Sequence, residues 1–226
     1  DDPALICSGR TTTYGQLRDQ VARFRGGLAS LGVGDGDRVA LLLGNNPHFV
    51  VAYLAAAGLG AVTVPLNPTS PSPELQAQLA TVDPKVAVVE RQSSSSFHHV
   101  DRAVMPSLAA VVTTEAVVSS GDVGFDELTG ADPVETIDVE PDHVAVLMFT
   151  SGTAGPPRAA MLSHRNLLVN IEQDLPARDH TDEGDIVYSV LPLFHILGLN
   201  VVLGVGLTVG ATIILVQHFD PATAAQ

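Results

Sequence analysis

Tryptophan is absent from the 226-residue chain, cysteine and lysine occur once each, and aromatic residues make up 4% of it. A single cysteine, Cys7, rules out an intrachain disulfide and fits a reducing, cytoplasmic setting. Positive charge is scarce: 11 Lys and Arg face 25 Asp and Glu, a formal net charge of −14. Non-specific attraction to nucleic acid or anionic lipid rests on positive surface charge, so neither is expected as a general partner. An anionic ligand would need positive potential supplied locally, by individual side chains and backbone N–H groups. There is no internal repeat and no basic-then-apolar leader. The chain opens at Asp1 rather than Met and reads as part of a longer protein.

One uncharged stretch invites a membrane reading. Leu197 to Val216 carries no formal charge and is long enough to span a bilayer. Glycines at 198, 204, 206 and 210 interrupt it, Asn200 lies inside it, and Thr212 to Val216 reads as a buried strand. The run is therefore expected to divide into helix, turn and strand rather than cross a membrane.

What the chain does have is 46% hydrophobic residues, arranged in short alternating segments. Leu5–Cys7 and Thr11–Thr13 flank a Ser8-Gly9 hairpin turn. Thr13 can cap a helix with Leu17, Val21, Phe24, Leu28 and Leu31 on one face, stopped at Gly32. Val39–Leu43 has the continuous apolar character of a parallel strand covered on both faces. Asn46-Pro47 opens a small-residue helix through Ala57, and Ala61–Val64 is the next strand. Pro73 begins a helix ended by Asp83-Pro84, and Val86–Val89 is strand again. Ser93–Ser96 reads as a loop, Ala109–Val112 as a strand, and Ser119–Asp142 as a polar, acidic connection. This alternation predicts a doubly wound α/β fold: layered, mostly parallel sheets flanked by helices, with no internal domain boundary.

Val144 to Phe149 leads into Thr150-Ser151-Gly152-Thr153-Ala154-Gly155-Pro156-Pro157-Arg158. Glycines let backbone N–H groups approach a ligand, hydroxyls add donors, and arginine adds charge: the parts of a phosphate cradle. Taken by composition alone, the same residues make an ordinary turn. No lysine follows the second glycine, so the loop is not a Walker A motif. Ala159–Leu162 follows as a short apolar piece, and Ser163 can cap a helix through Leu167, Leu168 and Ile171. The loop is thus expected to join two extended segments.

This run resembles the phosphate-loop signature of the adenylate-forming superfamily: acyl-CoA synthetases, luciferases and peptide-synthetase adenylation domains. Phe149, Thr150, Ser151, Gly152, Thr153, Gly155 and Pro157 match, while Ala154, Arg158 and Ala159 stand where Thr, Lys and Gly are usual. A second block follows, Leu191-Pro192-Leu193-Phe194-His195. Flanking similarity includes Thr13–Leu17, Gly36–Ala40, Gly60–Val62, Ser163–Leu167 and Gly210–Thr212.

The resemblance implies that residues 1–226 are the N-terminal part of an AMP-binding domain, with its remainder and a small C-terminal domain lying beyond. It assigns phosphate contacts to Thr150, Ser151, Gly152, Thr153, Gly155 and Arg158, and places His195 beside the reacting carboxylate. It implies ATP, Mg²⁺ and CoA as cofactors or co-substrates and a small carboxylic acid, a fatty acid in the first instance, as substrate. A cytoplasmic enzyme with peripheral membrane association is compatible with this. The alternatives are an adenylating enzyme that loads a carrier protein, and an inactive nucleotide-binding or interaction module.

Other polar residues carry less. No metal ligand is identifiable, and adjacent His98-His99 do not share a helix face and read as a solvated loop. Gly198 and Asn200 are secondary pocket candidates with packing as the simpler role. His164 and Arg165 open a helix, Asp182, Glu183 and Asp185 form an acidic turn, and Lys85 matches no family motif. Asp220-Pro221 has the form of a helix start. No Ser/His/Asp or Cys/His pattern supports nucleophilic catalysis.

Overall fold

The computed structural model describes residues 2–115, 121–150, 157–175 and 184–217. The chain begins as a hairpin of β1 (Pro3–Cys7) and β2 (Arg10–Thr13), turning at Ser8 and Gly9, whose φ angles are 49° and 76°. That left-handed pair matches the twist of the two strands. Thr13 then caps α1 (Tyr14–Ser30) in a reciprocal box with Gln16, and the chain leaves the helix through Gly32 at φ 80°.

Five strands build the parallel body of the larger sheet: β3 (Arg38–Leu42), β4 (Val62–Pro65), β5 (Val86–Val89), β6 (Ala110–Thr113) and β8 (Val144–Phe149). Short β7 (Val123–Gly124) adds one edge and antiparallel β9 (Ala159–Ser163) the other, giving the order β7-β6-β5-β3-β4-β8-β9. A four-stranded sheet, ordered β10-β11-β1-β2, uses β10 (Ile186–Ser189) and β11 (Thr212–Leu215) in parallel with β1.

Both faces of the larger sheet are covered. On one side, α1, α2 (Pro47–Ala57) and α5 (Phe125–Thr129) share a core with the smaller sheet, including Phe24, Phe49, Leu5 and Ile213. On the other, α3 (Ser72–Val82) and α4 (Arg91–His98) bury Leu75, Leu79 and Phe97. Each such side chain contributes about 1.5–3 kcal/mol by leaving water. The all-apolar β5, buried at every position, is what this double cover demands.

Three expectations need correction. The serine run is a helix, not a loop: Glu90 and Ser93 form a capping box, and Phe97 one turn on anchors it in the core. His98 and its neighbour His99 accordingly lie at the end of α4, with His98 Nε2 3.6 Å from Asp122. The acidic connection, described from residue 121, contains β7 and α5, pinned by Phe125 stacked 4.2 Å from Phe24. The uncharged run does divide, but its helical part is a π-helix (Leu197–Gly204) followed by α7 (Val205–Thr208) before β11. Among the described residues no helix is long and apolar enough to cross a membrane.

Candidate active site

The strands of the larger sheet bring several loops to one edge. β8 is parallel to β4 and β4 to β3, so the loops after β3 and β8 leave the sheet on the same side. β8 lies two strand spacings from β3, roughly 10 Å. The smaller sheet joins this edge through Asn45, just after β3, whose Nδ2 donates to the carbonyls of Ser189 (3.3 Å) and Leu191 (2.9 Å). The carboxyl ends of β3 and β10 therefore meet. Carboxyl ends of parallel strands are where α/β folds place ligands.

The strands on either side of the glycine-rich loop, β8 and β9, pair as a β-hairpin. Phe149 pairs with Ala159, and one step further out the Thr150 N–H donates to the Arg158 carbonyl at 3.1 Å. Both residues are exposed at the mouth of the hairpin, where the Thr150 hydroxyl also donates to the Arg158 carbonyl at 3.4 Å. The exposed Arg158 guanidinium suits an anionic oxygen. Ser151, Gly152, Thr153 and Gly155, with Ala154 and Pro156, lie outside the described residues. The loop does join two extended segments, as its flanks predict, and Ser163 caps α6 (His164–Asp174) in a box with Asn166.

His195 sits on a tight turn in which its N–H donates to the Pro192 carbonyl at 3.0 Å. Its ring is exposed, and Nδ1 accepts from the Leu197 N–H at 3.3 Å. In neutral imidazole this leaves the proton on Nε2, the nitrogen free to face a ligand. The turn is held on several sides. Leu193 is fully buried, and its N–H donates to Asn45 Oδ1 at 2.8 Å. Gly198 lies so close to the Pro192 carbonyl that a Cβ would overlap it, which makes Gly198 a packing residue. Asn200 is also structural: it is buried, with Nδ2 donating to Leu167 O and Asn170 Oδ1, and ties the π-helix to α6.

A cleft of about 1340 Å³ opens at the same edge, between the loops after β3, β5 and β6 and the β1–β2 hairpin. The chain after β3 enters α2 on one face and the chain after β5 enters α4 on the other, so this is a topological switch point. Asn46 caps α2 through the Phe49 N–H and donates to Glu90 at 2.7 Å across the cleft floor. Burial lowers the His48 pKa, partly offset by the Asp126 charge, and the ring packs edge-on against Phe125. The sequence marks Asn46-Pro47 as a helix start and gives Asn45 no role of its own. The one signal for Asn45 is a second amide beside Asn46, one glycine after the apolar run Val39–Leu43.

The remaining polar candidates lie elsewhere. Lys85 pairs with Asp37 at 2.8 Å at the amino edge of the sheet, opposite the site. Burial alone would raise the Asp37 pKa, but Lys85 and the Gly34 N–H hold it lowered. Arg165 pairs with Asp142 on the surface at 2.7 Å, and burial, with the His143 charge, lowers the His164 pKa. Asp182 and Glu183 fall outside the described residues, as does the helix start at Asp220-Pro221. No group of three or more His, Cys, Asp or Glu is gathered for a metal among the described residues. The described residues thus supply a guanidinium that fits phosphate, and no ready-made cage for Mg²⁺.

Comparison with known proteins bears on the fold and the family. The chain is 35% identical over 97% of its length to 4-coumarate-CoA ligase 1 of Narcissus pseudonarcissus, of which it covers 41%. The fold matches anthranilate CoA ligase AuaEII in complex with anthranoyl-AMP, with a TM-score of 0.91 at 22% identity, over 100% of this chain and 44% of that one. ATP-bound MatB from Rhodopseudomonas palustris matches with a TM-score of 0.84 at 26% identity, over 99% and 44%. The chain thus spans about two fifths of the curated relatives it matches. Residues 1–226 match the family described as AMP-binding enzyme from end to end, and the chain belongs to that family.

Proposed function

We propose that this chain is the N-terminal portion of an ATP-dependent acid–CoA ligase, which joins a carboxylate to the α-phosphate of ATP, releases pyrophosphate and passes the acyl group to the thiol of CoA. The observation that carries this reading is the arrangement of two motifs on one edge. The Thr150–Arg158 hairpin and the His195 turn leave the two sheets where the carboxyl ends of their strands meet. Adenylation asks the protein to hold a polyphosphate, offset its charge and aim a carboxylate for in-line attack. Arg158 serves the first two tasks, with a bidentate fork where the family's usual lysine is a point charge, and Thr150 stands across from it at the hairpin mouth. His195 serves the third by offering Nε2–H to a carboxylate oxygen. Mg²⁺, when bound, would ride on the phosphates and screen their charge.

The acid is proposed to be small, with an aromatic acid competing with the fatty acid of the sequence reading. Relatives at 35% identity are named 4-coumarate-CoA ligases, which favours the aromatic class. The location proposed is cytoplasmic. The test is thioester formation by the full-length parent with ATP, Mg²⁺ and CoA, read by mass spectrometry over aromatic and fatty acids. An acyl-CoA from at least one acid is expected. Adenylate that accumulates and transfers only to a carrier protein would move the reading to the carrier-loading class, and no product with any acid would reject it.

A further inference from the structure

We propose that Asn45 is the positioning residue for His195, a role that rests on the ligase reading above. Asn45 is 6% exposed and stands between β3 and the cap of α2, an element fixed in the core of the larger sheet. Its side-chain hydrogen bonds among the described residues all go to the segment that leads from β10 into the His195 turn. Nδ2 gives both hydrogens, to Ser189 O and Leu191 O, and Oδ1 accepts from Leu193 N–H. That segment is irregular backbone with Pro192 at its centre, and buried peptide groups there need partners that no strand provides. One amide supplies a donor pair and an acceptor at once, as a neighbouring strand would. Asp has no donor, Leu has neither, and Ser cannot reach three peptides.

The consequence concerns the register between the two motifs. The phosphate hairpin belongs to the larger sheet, whereas His195 follows a strand of the smaller one. Asn45 is a direct hydrogen-bonded link between the larger sheet's edge and the His195 turn, two residues short of the histidine. It fixes where Nε2 stands relative to the hairpin mouth. A displacement of about 1 Å in such a group can cost about 10²-fold in rate without weakening nucleotide binding.

The test is a double-mutant cycle in the full-length parent. Asn45→Asp keeps the shape and the acceptor but loses both donors, and Asn45→Ser keeps one hydroxyl. Each is made alone and with His195→Ala, and acid-dependent ATP–pyrophosphate exchange is measured beside hydrogen–deuterium exchange. In the His195 background, kcat is expected to fall by about 10- to 100-fold with the KM for ATP within about twofold. In the His195→Ala background the same substitutions are expected to cost nothing further. Amides of residues 191–197 should exchange faster in both variants while those of α2 do not. Equal losses in both backgrounds, or an unchanged kcat in a variant whose 191–197 segment has loosened, would overturn the proposal. Global unfolding by both substitutions would likewise reduce Asn45 to a structural role. A wild-type parent with no acid-dependent exchange would reject the ligase reading, and the hydrogen-exchange comparison would still decide whether Asn45 holds the turn.

Discussion

On the proposed reading Arg158 and His195 divide the chemistry between charge and aim, and their substitutions should fail differently. Arg158→Ala in the full-length parent removes a charge-assisted contact. Because Arg158 is exposed, we expect the low end of the usual range, about 1.5 kcal/mol or a roughly tenfold higher KM for ATP. Initial rates over an ATP series read this, and an unchanged KM would make Arg158 a bystander at the hairpin mouth. His195→Ala should instead depress adenylation with little effect on ATP affinity or melting temperature, since the exposed ring carries no packing role. A lowered melting point with normal exchange would assign His195 to structure. Two other histidines respond to pH. Burial lowers both His48 and His164, the latter further through the His143 charge. The folded state then holds fewer protons than the unfolded chain, so this stability is full above about pH 6.5 and is lost as pH falls below it. Between pH 7.5 and 5.5 the melting temperature of wild type should fall further than that of His48→Gln. Parallel curves for the two proteins would contradict the assignment.

At the scale of elements, α4 shows how four like residues take different parts. Ser93 is fully buried, accepts from the Glu90 N–H and donates to the carbonyls of Leu42 and Glu90, whereas Ser95 is exposed on the outer face. Ser93→Ala should cost about 1–2 kcal/mol, and Ser95→Ala should be neutral or slightly stabilising because alanine is the better helix former. Chemical denaturation of both variants measures this, and equal midpoints would show that the cap contributes nothing. The same helix marks the limit of what could be read in advance. Strands such as Val86–Val89 and caps such as Thr13, Asn46 and Ser163 were legible because their signals are local: period, apolar run, capping side chain. A serine run has no period, and Phe97 decides its state only by reaching a core assembled from α3 and β5. α5 was hidden likewise, since the glycines at 26 and 27 of α1 that receive Leu128 and the Asp132 carbonyl carry no label of their purpose in the sequence. The two motifs of the site were visible as strings. Asn45, which joins the sheets that carry them, was not, because its partners lie more than 140 positions away.

In the whole molecule, the proposed site draws on one edge of two sheets in a chain poor in positive charge. The Thr150–Arg158 hairpin comes from the larger sheet and His195 from the smaller, and neither sheet alone presents both. The most direct measurement of the account is isotope exchange between pyrophosphate and ATP in the full-length parent, with CoA left out. Exchange reports formation of the acyl-adenylate before any transfer to a thiol. The account predicts exchange that appears only when a suitable carboxylic acid is added and that collapses in His195→Ala. Exchange independent of any acid, or none across aromatic and fatty acids in a folded protein, would contradict it.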